Sequence, residues 1–334
     1  MMKTTKTLAI LGIVLSVILI SGCLGGGDTK GQAGFGEDSL DMYIDTEGRT
    51  TFDSEEAFVI TLSVENFGPF DVTNVQSRLI GFGGITADSG KLSATVNMSS
   101  FLERPRPDLE VPGGFSTKDW DVKAPKVSPD SPDVEILLTG QALYNTKSLA
   151  NQKVVVAKKE YLVELEQRGE EVPVNPAVEA LNGPVSIDTE IPQPYVTLRD
   201  TDPSFTVKIL LSNDGSGIVS SRDPLNTQDR DYLENITLTV PVGLKIDKSN
   251  CDFEIADADN VYTAEKILKI DSDFGTAKKT KLRLMDGGKT RDVSCRLLVD
   301  SEDFEGYQTY ELYAQTDYTY VQEVVRDITV QGKD

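Results

Sequence analysis

The feature that most constrains this chain is a recurrent two-residue alternation of apolar and polar side chains, cut every 8–12 residues by turn clusters. Phe58-Val59-Ile60-Thr61-Leu62-Ser63-Val64 alternates around β-branched residues and stops at Asn66-Phe67-Gly68-Pro69. Phe205-Thr206-Val207-Lys208-Ile209-Leu210-Leu211 does the same and stops at Ser212-Asn213-Asp214-Gly215. Val134–Leu138, Lys153–Val156, Asn235–Val240 and Lys279–Leu284 continue the pattern. A period of two sends successive side chains to opposite faces of a sheet, so the chain reads as all-β and built of sandwiches.

The pattern occurs twice. Asn66-x-Gly68 and Asn213-x-Gly215 close their strands at the same offset, and Tyr144 stands twelve residues before Val156 as Tyr318 does before Val330. Duplication of one sandwich unit accounts for this, with about 27 extra residues in the second copy. Between the copies, 157–167 has helix-forming composition, with Tyr161, Leu162 and Leu165 on one face. Glu170-Glu171-Val172-Pro173-Val174-Asn175-Pro176 then breaks regularity. The expected plan is a signal peptide at 1–22, a Gly-rich tether at 23–38, one sandwich at 39–158, a helix and proline linker at 159–183, and a second sandwich at 184–334.

The N-terminus gives the address. Lys3 and Lys6 precede an unbroken apolar run from Leu8 to Ile20, the layout of an export signal and short for a membrane span of about 20 residues. Leu19-Ile20-Ser21-Gly22-Cys23 follows. It resembles the lipobox of prokaryotic lipoproteins, which implies cleavage before Cys23 and lipid on its sulfur. Gly25-Gly26-Gly27 and further glycines to Gly36 have the composition of a flexible tether. The strand, Asn-x-Gly, strand pattern is similar to the immunoglobulin-like modules of archaeal and bacterial envelope proteins, CARDB and related families. Together the two resemblances imply an archaeal or bacterial cell-surface lipoprotein with two tandem immunoglobulin-like sandwiches. Such a protein is extracytoplasmic and membrane-held, and its partners are other envelope proteins or glycans.

Composition excludes several chemistries. Lys and Arg number 33 against 54 Asp and Glu, a net charge of −21, and removal of the signal with Lys3 and Lys6 takes this to about −23. A nucleic-acid binder needs clustered cations and is not expected. There is no histidine, so a Ser-His-Asp triad is excluded, as are the common histidine-based zinc sites. No enzymatic activity is expected. Setting Cys23 aside leaves Cys251 and Cys295, an even remainder in an exported chain, which points to a disulfide. Two buried free thiols are the alternative.

Other motifs carry weaker signals. Asp257-Ala258-Asp259-Asn260 can offer alternate carboxylates to calcium, with Asp257 and Asp259 the first candidates, but it fits no EF-hand and also reads as an ordinary acidic loop. No cofactor other than calcium is implied. Asn97-Met98-Ser99 and Asn235-Ile236-Thr237 are glycosylation sequons. Asp286-Gly287-Gly288-Lys289-Thr290 has the tail of a phosphate loop, yet Arg283 stands where the leading glycine belongs, so a turn is expected. Trp120 reads as core. Tyr310, Tyr313, Tyr318 and Tyr320 read as sheet packing, or as a carbohydrate platform. The expected function is a non-enzymatic binding, adhesion or assembly module of the envelope. A self-associating structural subunit or spacer is the alternative. A carboxylate-based envelope hydrolase is a further one, although no Asp/Glu pair stands out for it.

Overall fold

A computed structural model describes residues 38–87, 92–198, 203–220, 230–233, 235–241, 243–252, 268–271, 282–285, 287–299 and 305–333. The first half carries β1 (Leu40–Asp45), β2 (Thr51–Asp53), β3 (Ala57–Asn66), β4 (Val72–Ile80), β5 (Thr86–Ala87), β6 (Val96–Leu102), β7 (Phe115–Lys123) and β8 (Val134–Lys158). Helix α1 (Lys159–Arg168) follows, ended by Gly169 in the left-handed conformation. The second half carries β9 (Glu179–Leu181), β10 (Val185–Glu190), β11 (Val196–Leu198), β12 (Ser204–Asn213), β13 (Ile218–Ser220) and β14 (Tyr232–Leu233). It continues through β15 (Asn235–Val240), β16 (Leu244–Cys251), β17 (Leu268–Asp271), β18 (Leu282–Arg283), β19 (Thr290–Val299) and β20 (Tyr307–Gln331). The protein is all-β apart from α1 and one short 3₁₀ turn at Pro107–Leu109 among the described residues.

Three sheets make the core. β1-β3-β7-β5 is one and β10-β12-β19-β16 is its counterpart; each packs on a ten-stranded sheet that runs β17-β15-β20-β8-β4-β6 along its main path. The duplication holds to single hydrogen bonds. Phe67 and Gly68 N–H both donate to Ser39 O, and Asp214 and Gly215 N–H both donate to Pro184 O. Asn66 Nδ2 donates to Phe70 O at 2.9 Å, and Asn213 Nδ2 to Gly217 O at 3.1 Å. In each case the asparagine side chain satisfies main-chain acceptors four residues on, which is why Asn closes both strands. The inward faces alternate as the sequence pattern requires: Phe58, Ile60, Leu62 and Val64 in β3, and Phe205, Val207, Ile209 and Leu211 in β12, are all buried.

The two halves are not consecutive self-contained sandwiches. β8 and β20 are each 25 residues long and pair antiparallel from Tyr307↔Ala157 to Val330↔Val134. At about 3.3 Å per residue the ribbon is roughly 80 Å long. β4 pairs with the first part of β8, and β2 pairs in parallel with the last part of β20. Correspondingly β15 pairs with the first part of β20, and β11 pairs in parallel with the last part of β8. Each half therefore receives its closing strand from the other, and Gly36–Asp334 form one compact unit. The boundary expected at 159–183 holds α1 and β9, and β9 lies back on β8 with Leu181 opposite Leu149.

Local sequence permits the exchange without choosing it. A two-residue hairpin at the middle of each long strand would require positive φ. The centres read Tyr144-Asn145-Thr146-Lys147-Ser148 and Thr316-Asp317-Tyr318-Thr319-Tyr320, with no glycine and no proline. β-branched and aromatic residues there favour straight extension. The strands expected separately at 134–138 and 153–156 are thus one.

Candidate functional site: a cleft at the waist

The centre of the ribbon is a nearly symmetric hydrogen-bonded waist. Tyr144 Oη donates to Gln322 Oε1, and Gln322 Nε2 donates to Leu40 O at 2.7 Å. In the matching place Tyr318 Oη lies 3.2 Å from Ser148 Oγ, and Ser148 Oγ donates to Val185 O. Val185 N–H donates to Tyr318 Oη at 3.0 Å. Burial pushes the Tyr144, Tyr318 and Tyr320 phenols well above their ordinary range, so all three stay neutral donors and acceptors. These inward rings clasp the two halves and form no surface platform for carbohydrate.

The symmetry breaks at one pair of positions. In the second half the Tyr320 ring packs at Gly217, whose N–H donates to Tyr320 Oη at 2.7 Å, and a Cβ on Gly217 would stand 2.7 Å from that ring. In the first half Thr146 takes the place of Tyr320, and Phe70 takes the place of Gly217. The small residue and the large one have changed sides. Thr146 Oγ1 is buried and finds no partner among the described residues. At this break a cleft of about 700 Å³ opens. It lies where β4 has stopped pairing with β8 at Asn145 and β9 has not begun, at Leu149.

The cleft combines aromatic surface with both signs of charge. Phe70 and Phe101 line it, and Phe101 is 46% exposed. Lys147 Nζ stands 5.3 Å from the Phe70 ring centroid, a cation held over an aromatic face. Asp71 Oδ1 accepts Arg104 N–H at 2.9 Å, and Arg104 Nη1 donates to Pro69 O at 3.4 Å. Asp317 accepts from Gln315 Nε2 at 3.0 Å. Two cations and two carboxylates make the lining locally neutral in a chain of net charge −21. An apolar ring face beside polar donors and acceptors suits a ligand with one apolar face and several hydroxyls.

The expected site residues fall elsewhere. Cys251 and Cys295 face each other across β16 and β19, with Cα atoms 4.0 Å apart, at disulfide distance. Asn97 is exposed on β6, and the main chain of Asn235 pairs with Asp317 on β20. Gly287-Gly288-Lys289 form a turn closed on Met285 O, both glycines at positive φ, and Trp120 is buried in β7. Cys23, Asp257 and Asp259 lie outside the described residues. Among the described residues no group of three or more His, Cys, Asp or Glu is placed to hold a metal ion. The cleft residues carry no motif; the signal that could have found them is the mismatch of Thr146 with Tyr320 and of Phe70 with Gly217 once the halves are aligned.

No protein-family model matches the chain, and no curated protein matches it.

Proposed function

We propose that this chain is a non-enzymatic, lipid-anchored binding module outside the cytoplasmic membrane, and that the waist cleft is its ligand seat. The address rests on Lys3, Lys6, the apolar run to Ile20 and the lipobox-like Leu19–Cys23. The binding role rests on one observation: the cleft is where the two halves cease to match, and it sets Phe70 and Phe101 beside Arg104, Lys147, Asp71 and Asp317. Departure from an otherwise repeated hydrogen-bond plan favours a use over accidental packing.

The ligand class that fits is a saccharide. The C–H face of a sugar ring stacks on an aromatic face, while its hydroxyls both donate to carboxylates and accept from guanidinium and ammonium groups. The test is calorimetric titration of the full chain in detergent with oligosaccharides released from the native envelope. Phe101→Ala and Arg104→Ala should each weaken binding about tenfold, equivalent to about 1.4 kcal/mol. Binding that both variants leave unchanged, or no binding by any fraction, would overturn the assignment.

A further inference from the structure

We infer that the edge of β20 between Gln322 and Ile328, unpaired among the described residues, is a docking site for an extended, cationic segment of another envelope protein. On one side these residues pair with β8, from Gln322↔Ala142 to Ile328↔Ile136. On the other side the pairing with β13 reaches only to Val321 and that with β2 starts at Thr329. Among the described residues no strand pairs with the edge between them; β1 runs beside it on the inner face, where Gln322 Nε2 donates to Leu40 O and Arg326 Nη1 to Ile44 O, and the outer face is open. Its length is about 23 Å at 3.3 Å per residue.

The duplication shows what such an edge accepts. The corresponding edge of β8 lies between the pairing with β4, which stops at Asn145, and β11, which begins opposite Val156. There β9 fills the gap, antiparallel, with Leu149↔Leu181, Ala150↔Ala180 and Asn151↔Glu179. Leu149 stands five residues past Tyr144, and Glu323 five residues past the matching Tyr318. One edge is thus covered by a short extended segment of this chain, and its twin at 323–325 presents the same geometry without one among the described residues.

Charge selects the occupant. Glu323, Val325 and Asp327 point outward from β20, and Val325 is 59% exposed. A second copy docking antiparallel about Val325 would set Glu323 opposite the other copy's Asp327, and like charges directly opposite are destabilising. Edge carboxylates guard a sheet against its own kind. A strand with Lys or Arg on each side of an apolar residue, spaced by two, meets the same edge with opposite charges and covers Val325.

The test is hydrogen exchange of the full chain in detergent, with a ten-residue peptide alternating Lys and Val as probe and a Glu-Val peptide as control. The Lys-Val peptide should slow exchange at 322–328 at least tenfold and leave 149–151 unchanged. In the Glu323→Lys/Asp327→Lys variant, preference should reverse to the Glu-Val peptide. These side chains are exposed, and the wild-type measurement stands without the variant. Equal protection by both peptides would overturn the inference. So would protection without peptide: dependent on protein concentration it would identify a second copy, independent of it a segment of the same chain. The edge shares no residue with the waist cleft, so its failure leaves the saccharide reading untouched.

Discussion

Removing residues 319–334 is the sharpest test of strand exchange. In a chain of consecutive domains this cut would damage the second half and spare the first. Here the removed part of β20 closes the first sandwich: it pairs with Val134–Asn145 of β8 and carries β2 on its other side. Tyr320, Val321, Ile328 and Val330 are buried on it. At about 1.5–3 kcal/mol for each fully buried large apolar side chain, their loss costs roughly 6–12 kcal/mol. That is comparable to the whole stability of a typical protein, about 5–15 kcal/mol. The reporter is Trp120, which is the single tryptophan, sits in β7 of the first half, and is buried. The truncated chain should show red-shifted Trp120 emission at 25 °C and no cooperative melt of that signal. Emission and melting midpoint that match the full chain would refute the exchange, because the first half would then be complete without β20.

Three further outcomes are expected. Tyr318→Phe strips the acceptor from the buried Val185 N–H and removes one of the three contacts of Ser148 Oγ, which keeps Val185 O and Gly183 N–H; it should lower unfolding free energy by about 1–3 kcal/mol in urea titration. Glu56 accepts Asp53 N–H and an Arg49 N–H, and these bonds hold its carboxyl below the ordinary value of 4.5. A depressed carboxylate contributes stability above its unfolded value and loses it as pH falls through the folded one, so Glu56→Gln should flatten the acid limb of melting midpoint against pH below about 4.5. Cys295→Ser opens a cross-link spanning 44 residues and should cost on the order of 4 kcal/mol in the chain-entropy account, with a mobility shift on non-reducing gels that matches the reduced wild type.

The waist cleft was hidden for a physical reason. Phe70 and Thr146 are 76 residues apart and belong to no motif. Their meaning depends on the aligned partners Gly217 and Tyr320, and on the sheet gap between Asn145 and Leu149. The tyrosines were legible as strand residues, since Tyr318 and Tyr320 share a face by spacing. That the face points inward follows only from the sheets packed over it, β1 and β10, whose main chains meet Gln322, Ser148 and Tyr318.

What the sequence determined by itself was local and periodic. Alternation marked strand segments and the buried faces of β3 and β12, Asn-x-Gly marked where those two strands end, composition at 157–167 marked α1, and two downstream cysteines announced a pair. These are properties of nearest neighbours, of side-chain period and of short-range main-chain satisfaction. The tertiary structure alone decided that β8 and β20 run straight through the waist and trade closing strands. Pairing partners far apart in the chain are chosen by which edges and apolar faces remain to be covered. The choice between turning back at Thr146 and crossing to the other half is therefore a property of the whole assembly, and no window of sequence contains it.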